Sequence, residues 1–324
     1  MAVVITGGAG AVGSHLVDRC VAEGEHVLVL DNLLTGRLAN IAGAMESGKA
    51  TFAYCDVGQP LEKFRHVVAD ALGGEKVTRI FHLASPASPE AYGTHPWETM
   101  LVNGVGTMSM IELALEYGAM LLFTSTSEIY GDPLVHPQPE DYFGNVNPVG
   151  PRACYDEGKR FGEAAMSVAI AKRGLDGRVV RIFNCYGPRM DIADGRLIPS
   201  LLAAAREKQP LPIHGTGDQT RSMTYVDDLI DGLMIVAAWK PAHLQPVNLG
   251  GEEETSVNEI AAAVCDVLGI ELPTVVLPAR PEDPQRRRPN TAFARGLGWA
   301  ATTSLREGLR RTYDWLSTEA LEFA

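Results

Sequence analysis

A short apolar run at residues 3–6 passes without a spacer into three glycines, Gly7, Gly10 and Gly13, and from the third into an amphipathic stretch at 13–23. This order of strand, glycine triplet and helix constrains the fold more than any other feature. Glycines at this spacing let the backbone turn tightly at a strand end and let the helix pack closely on the strand. The alternation then continues. Runs at 26–31, 51–55, 79–83, 120–125 and 178–183 are short, rich in β-branched or apolar residues and not alternating, which predicts parallel strands buried on both faces. Longer amphipathic stretches at 97–117 and 155–173 predict helices between them. The fold expected is α/β, a doubly wound parallel sheet of Rossmann type.

Beyond about residue 184 the character changes. Prolines recur at Pro188, Pro199, Pro210 and Pro212, the runs shorten, and the basic cluster Arg286, Arg287, Arg288 precedes a last helix at 304–317. The division expected is a Rossmann domain over 1–183, joined by 222–240, and a smaller C-terminal substrate-binding cap in most of 184–324. No internal repeat and no low-complexity segment is present.

Composition narrows the partners. With 28 Lys plus Arg against 40 Asp plus Glu, the formal charge is −12, a poor match for nucleic acid or an anionic lipid surface. Hydrophobic residues make up 46% of the chain, enough for a large core. No window approaches the roughly 18 apolar residues of a membrane span, and the N-terminal run breaks into glycines with no basic head, so a cytoplasmic protein is expected. The cysteines Cys20, Cys55, Cys154, Cys185 and Cys265 are odd in number and lack CxxC spacing. They are read as buried small residues, not a disulfide or zinc framework. His82 and His214 have no second ligand at a supporting spacing, so no metal is expected.

The glycine turn has a chemical reading as well as a packing one. Backbone that approaches a pyrophosphate closely needs glycine, and the N–H groups that open the following helix are unpaired donors for that anion. Asp31 closes the next run, 18 residues after Gly13, where a carboxylate can accept both ribose hydroxyls of an adenosine. It would repel a 2′-phosphate, and the following residue is Asn32 and not Arg, so NAD is favoured over NADP. Asp56 at the third strand end can bind the adenine amino group or serve as a plain turn residue. The cofactor set is therefore Gly7, Gly10, Ala11, Val12, Gly13, Asp31, Asn32, Asp56, Val57 and Leu83, with Tyr155 and Lys159.

Tyr155 and Lys159 are four apart, on one helix face one turn from each other. A free phenol titrates near 10, so it needs help to act as a base at neutral pH. An adjacent ammonium would stabilise the phenolate and let it take a hydroxyl proton while a hydride leaves the same carbon. Thr126, at the end of the run from Met120, supplies a hydroxyl to hold the reacting oxygen.

With these residues in place, the chain resembles an extended short-chain dehydrogenase/reductase of the nucleotide-sugar branch, and within it the UDP-glucuronic acid decarboxylases (UDP-xylose synthases). The likeness rests on VITGGAGAVGSHL, LDNLLTGRLAN, HLASPASP, STSEIYGDPLVHPQPEDYFGNVNPVGPRACYDEGKR, RIFNCYGPRM, GDQTRSMTYVDDL, PVNLGG and DPQRRRP. SPASP and GPRACYDEGKR are distinctive of that family, whereas the glycine triplet is shared by the whole superfamily. The resemblance implies catalytic roles for Thr126, Ser127, Glu128, Tyr155, Lys159 and Arg287. It implies that Asn184, Arg189 and Arg221, with Arg287, lie near the sugar nucleotide. It further implies UDP-glucuronate or a related nucleotide sugar as substrate, tightly held NAD, and a homodimer through helices 97–117 and 155–173. Both helices carry apolar residues beyond one stripe (Met108, Met110, Ile111, Leu113, Leu115; Met166, Val168, Ile170).

Chemistry must still choose among reactions that all begin by oxidising carbon 4. A glucuronyl substrate then becomes a β-keto acid whose carboxylate can leave as CO2, making the enzyme a lyase. The resembling dehydratases carry Thr-Asp-Glu where this chain has Thr126, Ser127, Glu128, and loss of that Asp removes the acid for water elimination. A 4-epimerase or 4,6-dehydratase remains the alternative, and a non-catalytic dinucleotide sensor would have no need of Tyr155. Glu128, two residues after Thr126 in an extended segment, is expected to project into the sugar pocket, and Arg287 to arrive from the cap on closure. Departures from the family pattern are Leu33 and Leu34 for two aromatics, Leu101 for a lysine, His214 for an aromatic, Asn290 for an Asp, and an insertion at 61–76.

Overall fold

The computed structural model describes residues 1–279 and 286–322. Six strands, β1 (Ala2–Thr6), β2 (His26–Asp31), β3 (Ala50–Tyr54), β4 (Val77–His82), β5 (Met120–Thr126) and β6 (Gly177–Ile182), join Val247–Leu249 in one sheet. Its order is Val247–Leu249, β6, β5, β4, β1, β2, β3, with every pairing parallel. The absence of alternation in the sequence now has its cause. Val3 and Ile5 of β1 enter one core, with Leu16 and Val17 of α1 (Ala11–Ala22), while Ala2 and Val4 enter the other, with Met110, Leu113 and Met166. Both faces of the sheet are covered, so both need apolar residues.

The chain runs outward from β1 to β3 and then crosses back to β4 on the other side of β1. Strand order therefore reverses between β1 and β4, and the crevice beyond the carboxyl ends of the strands at such a point is where ligands bind in this architecture. The glycine loop and Thr126 both emerge there. The segment at 61–76 carries the helix Arg65–Leu72, whose Val68 and Leu72 are buried and which ends on Gly73 in the left-handed region. It is the crossover helix between β3 and β4.

Three features differ from the sequence reading. The helix expected over 97–117 is interrupted: Pro96–Leu101 and Thr107–Tyr117 flank a π turn at Val102–Gly106. Gly106 lies so close to the Val57 carbonyl that a Cβ would stand 2.8 Å from that oxygen. Asn103, wholly buried, donates to Ser85 Oγ at 3.0 Å, and Thr107 bonds back to its carbonyl. The turn thus tracks a close approach to the third strand end. Second, Val247–Leu249 lies in the main sheet although it falls outside 222–240; three residues are too few to show a period. Third, all five cysteines are free, but only Cys20 and Cys55 are buried, the other three being half-buried.

Of the apolar residues expected beyond one stripe, Met110, Ile111, Leu113 and Met166 serve the core. Met108 and Val168, of the same expected set, are exposed, and so are Trp97, Met100 and Phe161 on these helices. Smaller elements complete the C-terminal half, among them a parallel pair, Leu211–His214 with Thr274–Leu277, and the helix Val257–Leu268, capped by Ser256 and Glu259. No helix among the described residues is long and apolar enough to cross a membrane.

Candidate active site

A cleft of about 810 Å³ opens at the carboxyl ends of the sheet, and every site residue singled out in the sequence lines it. At one end the chain turns at Gly7, in the left-handed region at φ 69°. A Cβ there would meet the Ala84 backbone at 2.7 Å, and one on Gly13 would lie 2.1 Å from the Gly7 carbonyl. Only glycine fits. α1 begins after Gly10 with no side-chain cap and no acidic residue in its first turn, so Ala11, Val12 and Gly13 open an uncapped helix N-terminus onto the cleft.

Asp31 sits at the end of β2, only 8% exposed. Its Oδ2 accepts from Ala9 N–H at 3.0 Å and its Oδ1 from Leu33 N–H at 2.8 Å. Burial raises its pKa against those two bonds. Leu33 takes a left-handed φ of 57° to donate, and Leu34 lines the cleft. Arg37, the nearest downstream cation in sequence, is engaged by Asp191 at 2.9 Å. Asp56 accepts from Gly58 N–H and from Gln59 Nε2, and Val57 and Leu83 complete the apolar wall. An uncapped helix start, a glycine cradle and a strand-end carboxylate suit the pyrophosphate and ribose of a dinucleotide.

At the other end Thr126 closes β5 and caps the 3-10 turn Ser127–Tyr130, accepting from Glu128 N–H at 3.2 Å. The extended segment expected through Glu128 is therefore absent: the chain bends after Thr126 to meet its own hydroxyl. Tyr155 and Lys159 lie in the first two turns of the helix Ala153–Arg173, both buried. The Thr126 hydroxyl stands close enough to the Tyr155 hydroxyl to pull its pKa down against burial. Lys159 Nζ donates to the Thr124 carbonyl at 2.7 Å and stands 5.9 Å from the centre of the Tyr155 ring.

The expected lowering of the phenol pKa by the ammonium is not what this site produces. Burial pushes Tyr155 up to about 12, and Lys159 is not among the largest influences on it. Burial also lowers Lys159 to about 7, with Glu163 opposing. Desolvation dominates both groups because this wedge between helix and sheet holds them away from water.

Glu128 is the hub of a charged cluster. Arg287 donates to both its oxygens, Nη1 to Oε1 at 2.5 Å and Nη2 to Oε2 at 2.8 Å, and Arg152 pairs with Oε2. Burial works against the carboxylate, but the two guanidiniums outweigh it and hold Glu128 below the ordinary range. Arg287 is thus already seated on Glu128, without the closure expected of it. Asp156, beside Tyr155, goes the other way: burial and then the charge of Glu128 push it up to about 7, against the pull of Arg152 and Arg287. Its Oδ1 is buried and unpartnered.

Asn184 Oδ1 and Arg287 Nε are also buried without partners. Arg221 is buried, with Nη1 on the Thr220 carbonyl. Arg189 lies on the α1 side, where it pairs with Asp18 at 2.7 Å. Among the departures, His214 bonds the Pro278 carbonyl, and Asn290 Oδ1 accepts from Ala292 N–H, a bond a neutral side chain makes as well as an acid. Residues 283–285 of the DPQRRRP stretch lie outside the described residues.

Sequence reasoning missed Tyr92, whose ring stacks on Tyr155 at 5.3 Å and 12°, and Arg152, which lies over Tyr92 and on Glu128. Arg152 and Asp156 were within reach, since both stand inside GPRACYDEGKR. Tyr92 carried no signal, as nothing in its local pattern places it against the helix 60 residues later.

Residues 3–250 match the model of the NAD dependent epimerase/dehydratase family. UDP-glucuronic acid decarboxylase 1 of Danio rerio is 43% identical over 318 residues, covering 98% of this chain and 73% of that protein. UDP-glucose 4-epimerase of Thermotoga maritima, solved with UDP-glucose, superposes with a TM-score of 0.87 at 27% identity, over 99% of this chain and all of that one. UDP-glucuronic acid 4-epimerase of Bacillus cereus, in complex with UDP-glucuronic acid and NAD, does so with a TM-score of 0.85 at 25% identity, over 98% of this chain and 100% of that one. This chain belongs to the NAD dependent epimerase/dehydratase family.

Proposed function

We infer that this protein decarboxylates UDP-glucuronate to UDP-xylose, by oxidation at carbon 4, loss of CO2 and re-reduction. The observation that tells this reaction from dehydration is Glu128 clamped between Arg152 and Arg287. A dehydratase needs an acid to expel a hydroxyl, and a carboxyl held ionised by two guanidiniums is a poor proton donor at neutral pH. Departing CO2 needs no proton. The similarity to UDP-glucuronic acid decarboxylases over nearly the whole chain supports the same reading.

NAD, when bound, accepts the hydride from carbon 4 and later returns it. Gly7, Gly10, Ala11, Val12 and Gly13 would hold its pyrophosphate, Asp31 and Asn32 its adenosine ribose, and Asp56, Val57 and Leu83 its flanks. Thr126 orients the carbon 4 hydroxyl, and Tyr155 would take its proton as the phenolate, a form that burial disfavours and that the positive charge of bound oxidised NAD would favour. As CO2 leaves, the electron pair of the broken carbon–carbon bond delocalises onto the carbon 4 oxygen, which Tyr155 and Thr126 hold by hydrogen bonds. Carbon 5 then takes up a proton, with Glu128 orienting the sugar and Ser127 beside it. Arg287 contributes positive charge toward the substrate carboxylate or diphosphate while its two Nη groups stay on Glu128, a bidentate pairing that favours arginine. Asn184, Arg189 and Arg221 complete the nucleotide-sugar site.

The two walls of the cleft correspond to a dinucleotide-binding lobe, 1–183 with 222–240 and Val247–Leu249, and a cap in most of the remaining described residues after 184. The exposed face of Trp97, Met100, Met108, Phe161 and Val168 fits a homodimer interface on the same helices, and the five free cysteines accord with a cytoplasmic protein.

The test is the mass of UDP-glucuronate after incubation with the purified protein. Loss of CO2 is expected. An isomer of unchanged mass would replace this reading with 4-epimerisation, loss of water with dehydration, and unaltered substrate would overturn it.

A further inference from the structure

We propose that Gln138 is a positioning residue that fixes Arg287 against Glu128, by gripping the backbone on the C-terminal side of that arginine. The inference rests on the placement of Arg287 in the reaction given above.

Gln138 belongs to the connection between β5 and the Tyr155 helix and is wholly buried. Its side chain uses both ends of the amide: Oε1 accepts from Arg288 N–H at 2.9 Å, and Nε2 donates to the Val135 carbonyl at 2.8 Å. Its backbone N–H donates to the Arg288 carbonyl and its carbonyl accepts from Asn290 N–H, each at 2.9 Å. Residue 289 is proline, which has no N–H. Gln138 therefore engages both backbone groups of Arg288 and the next available amide after it, forming an isolated parallel bridge at Pro289. Arg287 is the residue immediately before this grip. Its side chain is then aimed by a backbone that cannot slide or rotate without breaking buried hydrogen bonds.

The grip is itself tied to the sheet. Asn248, also wholly buried, donates Nδ2 to the Gln138 carbonyl at 3.0 Å and to the Asn290 carbonyl at 3.3 Å. The Tyr130 hydroxyl donates to Asn248 Oδ1 at 2.8 Å, and Arg181 of β6 donates to the Tyr130 oxygen at 2.8 Å. A continuous buried polar chain thus runs from β6 through Asn248 and Gln138 to the backbone beside Arg287. Such networks hold a single arrangement when every member is satisfied. A glutamine is specifically suited here, because one end must accept and the other donate.

The experiment is a double-mutant cycle read by UDP-glucuronate affinity and by kcat/KM, with amide hydrogen exchange over 286–290. Gln138→Met keeps size and apolar contacts but leaves Arg288 N–H without its acceptor. It should lower kcat/KM roughly 10- to 100-fold through misplacement of the guanidinium, with bound NAD retained and exchange at Arg288 accelerated. In an Arg287→Ala background the same change should cost less than about twofold, because residues that act through one another are not additive. Gln138→Glu keeps an acceptor for Arg288 N–H but gives up the donor to the Val135 carbonyl and buries a carboxyl, so its affinity should lie between those of Gln138→Met and the original protein. Additive losses in the double-mutant cycle or unchanged exchange at Arg288 in Gln138→Met would each overturn the proposal. Affinity and exchange do not require turnover, so they judge Gln138 even if CO2 release, and with it the decarboxylase reading, were to fail.

Discussion

Arg287 meets Glu128 through two nearly parallel hydrogen bonds, 2.5 and 2.8 Å, across 159 residues of chain. The pair joins the catalytic strand end to the far wall of the cleft with its charges largely out of water. Glu128→Gln keeps the shape and deletes the charge, leaving Arg287 and Arg152 facing a neutral amide. Breaking one partner of a buried pair costs about 3–5 kcal/mol, and urea denaturation at neutral pH should show a loss approaching that size. The Glu128 pKa is lowered in the folded state, so its stabilisation is present above the unfolded carboxylate pKa and lost as pH falls through the folded one. The difference between wild type and Glu128→Gln should therefore shrink on acidification. A difference that grew in acid would contradict the pairing.

Tyr155 and Arg287 should fail at different steps. Tyr155→Phe removes the base for the first oxidation, so NADH absorbance should not appear with UDP-glucuronate and CO2 release should fall about 10²- to 10⁴-fold. Arg287→Ala should weaken substrate binding and slow CO2 release together. Retention of CO2 release within about tenfold in Tyr155→Phe would sink the oxidation-first mechanism.

Lys159 should cost the protein stability. Its pKa is lowered from 10.5 to about 7 by burial, so the unfolded chain binds its proton more tightly than the folded one. The cost is full below about 7 and fades as pH rises toward 10.5. Lys159→Met should abolish turnover yet raise the melting temperature, most at acidic to neutral pH and least near the upper limit, as seen by calorimetry across that range. A melting temperature lowered at every pH would refute burial as the dominant influence.

Asp31→Ala should weaken NAD far more than NADP, since it deletes an acceptor for ribose hydroxyls and also a repulsion toward a 2′-phosphate. Fluorescence titration of both dinucleotides measures this. A wild type that bound NADP as tightly as NAD would contradict the assignment.

Light scattering at micromolar concentration should give the mass of a dimer, and Met108→Glu combined with Val168→Glu should give that of a monomer, because both side chains are more than half exposed on the apolar face and charge there resists burial. A monomeric wild type would remove the interface.

How much of this was legible depended on whether the relevant physics was local. The glycine loop could be read because a left-handed turn at Gly7 and a backbone so close that a Cβ on Gly13 would stand 2.1 Å from the Gly7 carbonyl oxygen leave no choice of residue at either. The sheet could be read because strands such as β5, buried along its whole length, leave uninterrupted apolar runs. Tyr155 and Lys159 were set by helix period. The bend after Thr126 was not legible, because it depends on a hydroxyl bonding an amide two residues on. Nor were the pKa directions of Tyr155 and Lys159, since spacing reports who is near whom but not how much water is excluded. Tyr92 and Gln138 act on partners 63 and 150 residues away, beyond the reach of any local pattern.

The three residues Val247–Leu249 have a consequence for how such proteins can be recombined. They are sewn into the sheet beside β6, and the helix Val226–Ala238 before them packs on α1 and β6, while chain on either side of this stretch builds the opposite side of the cleft. Exchanging everything past residue 184 for the corresponding half of a relative would import a foreign stitch into a native sheet, and omitting the stitch would bare β6 as an unpaired edge. Substrate preference in this architecture is accordingly not a detachable cassette. A chimaera that changes the sugar site while keeping the dinucleotide site must be cut twice more, before residue 222 and after Leu249.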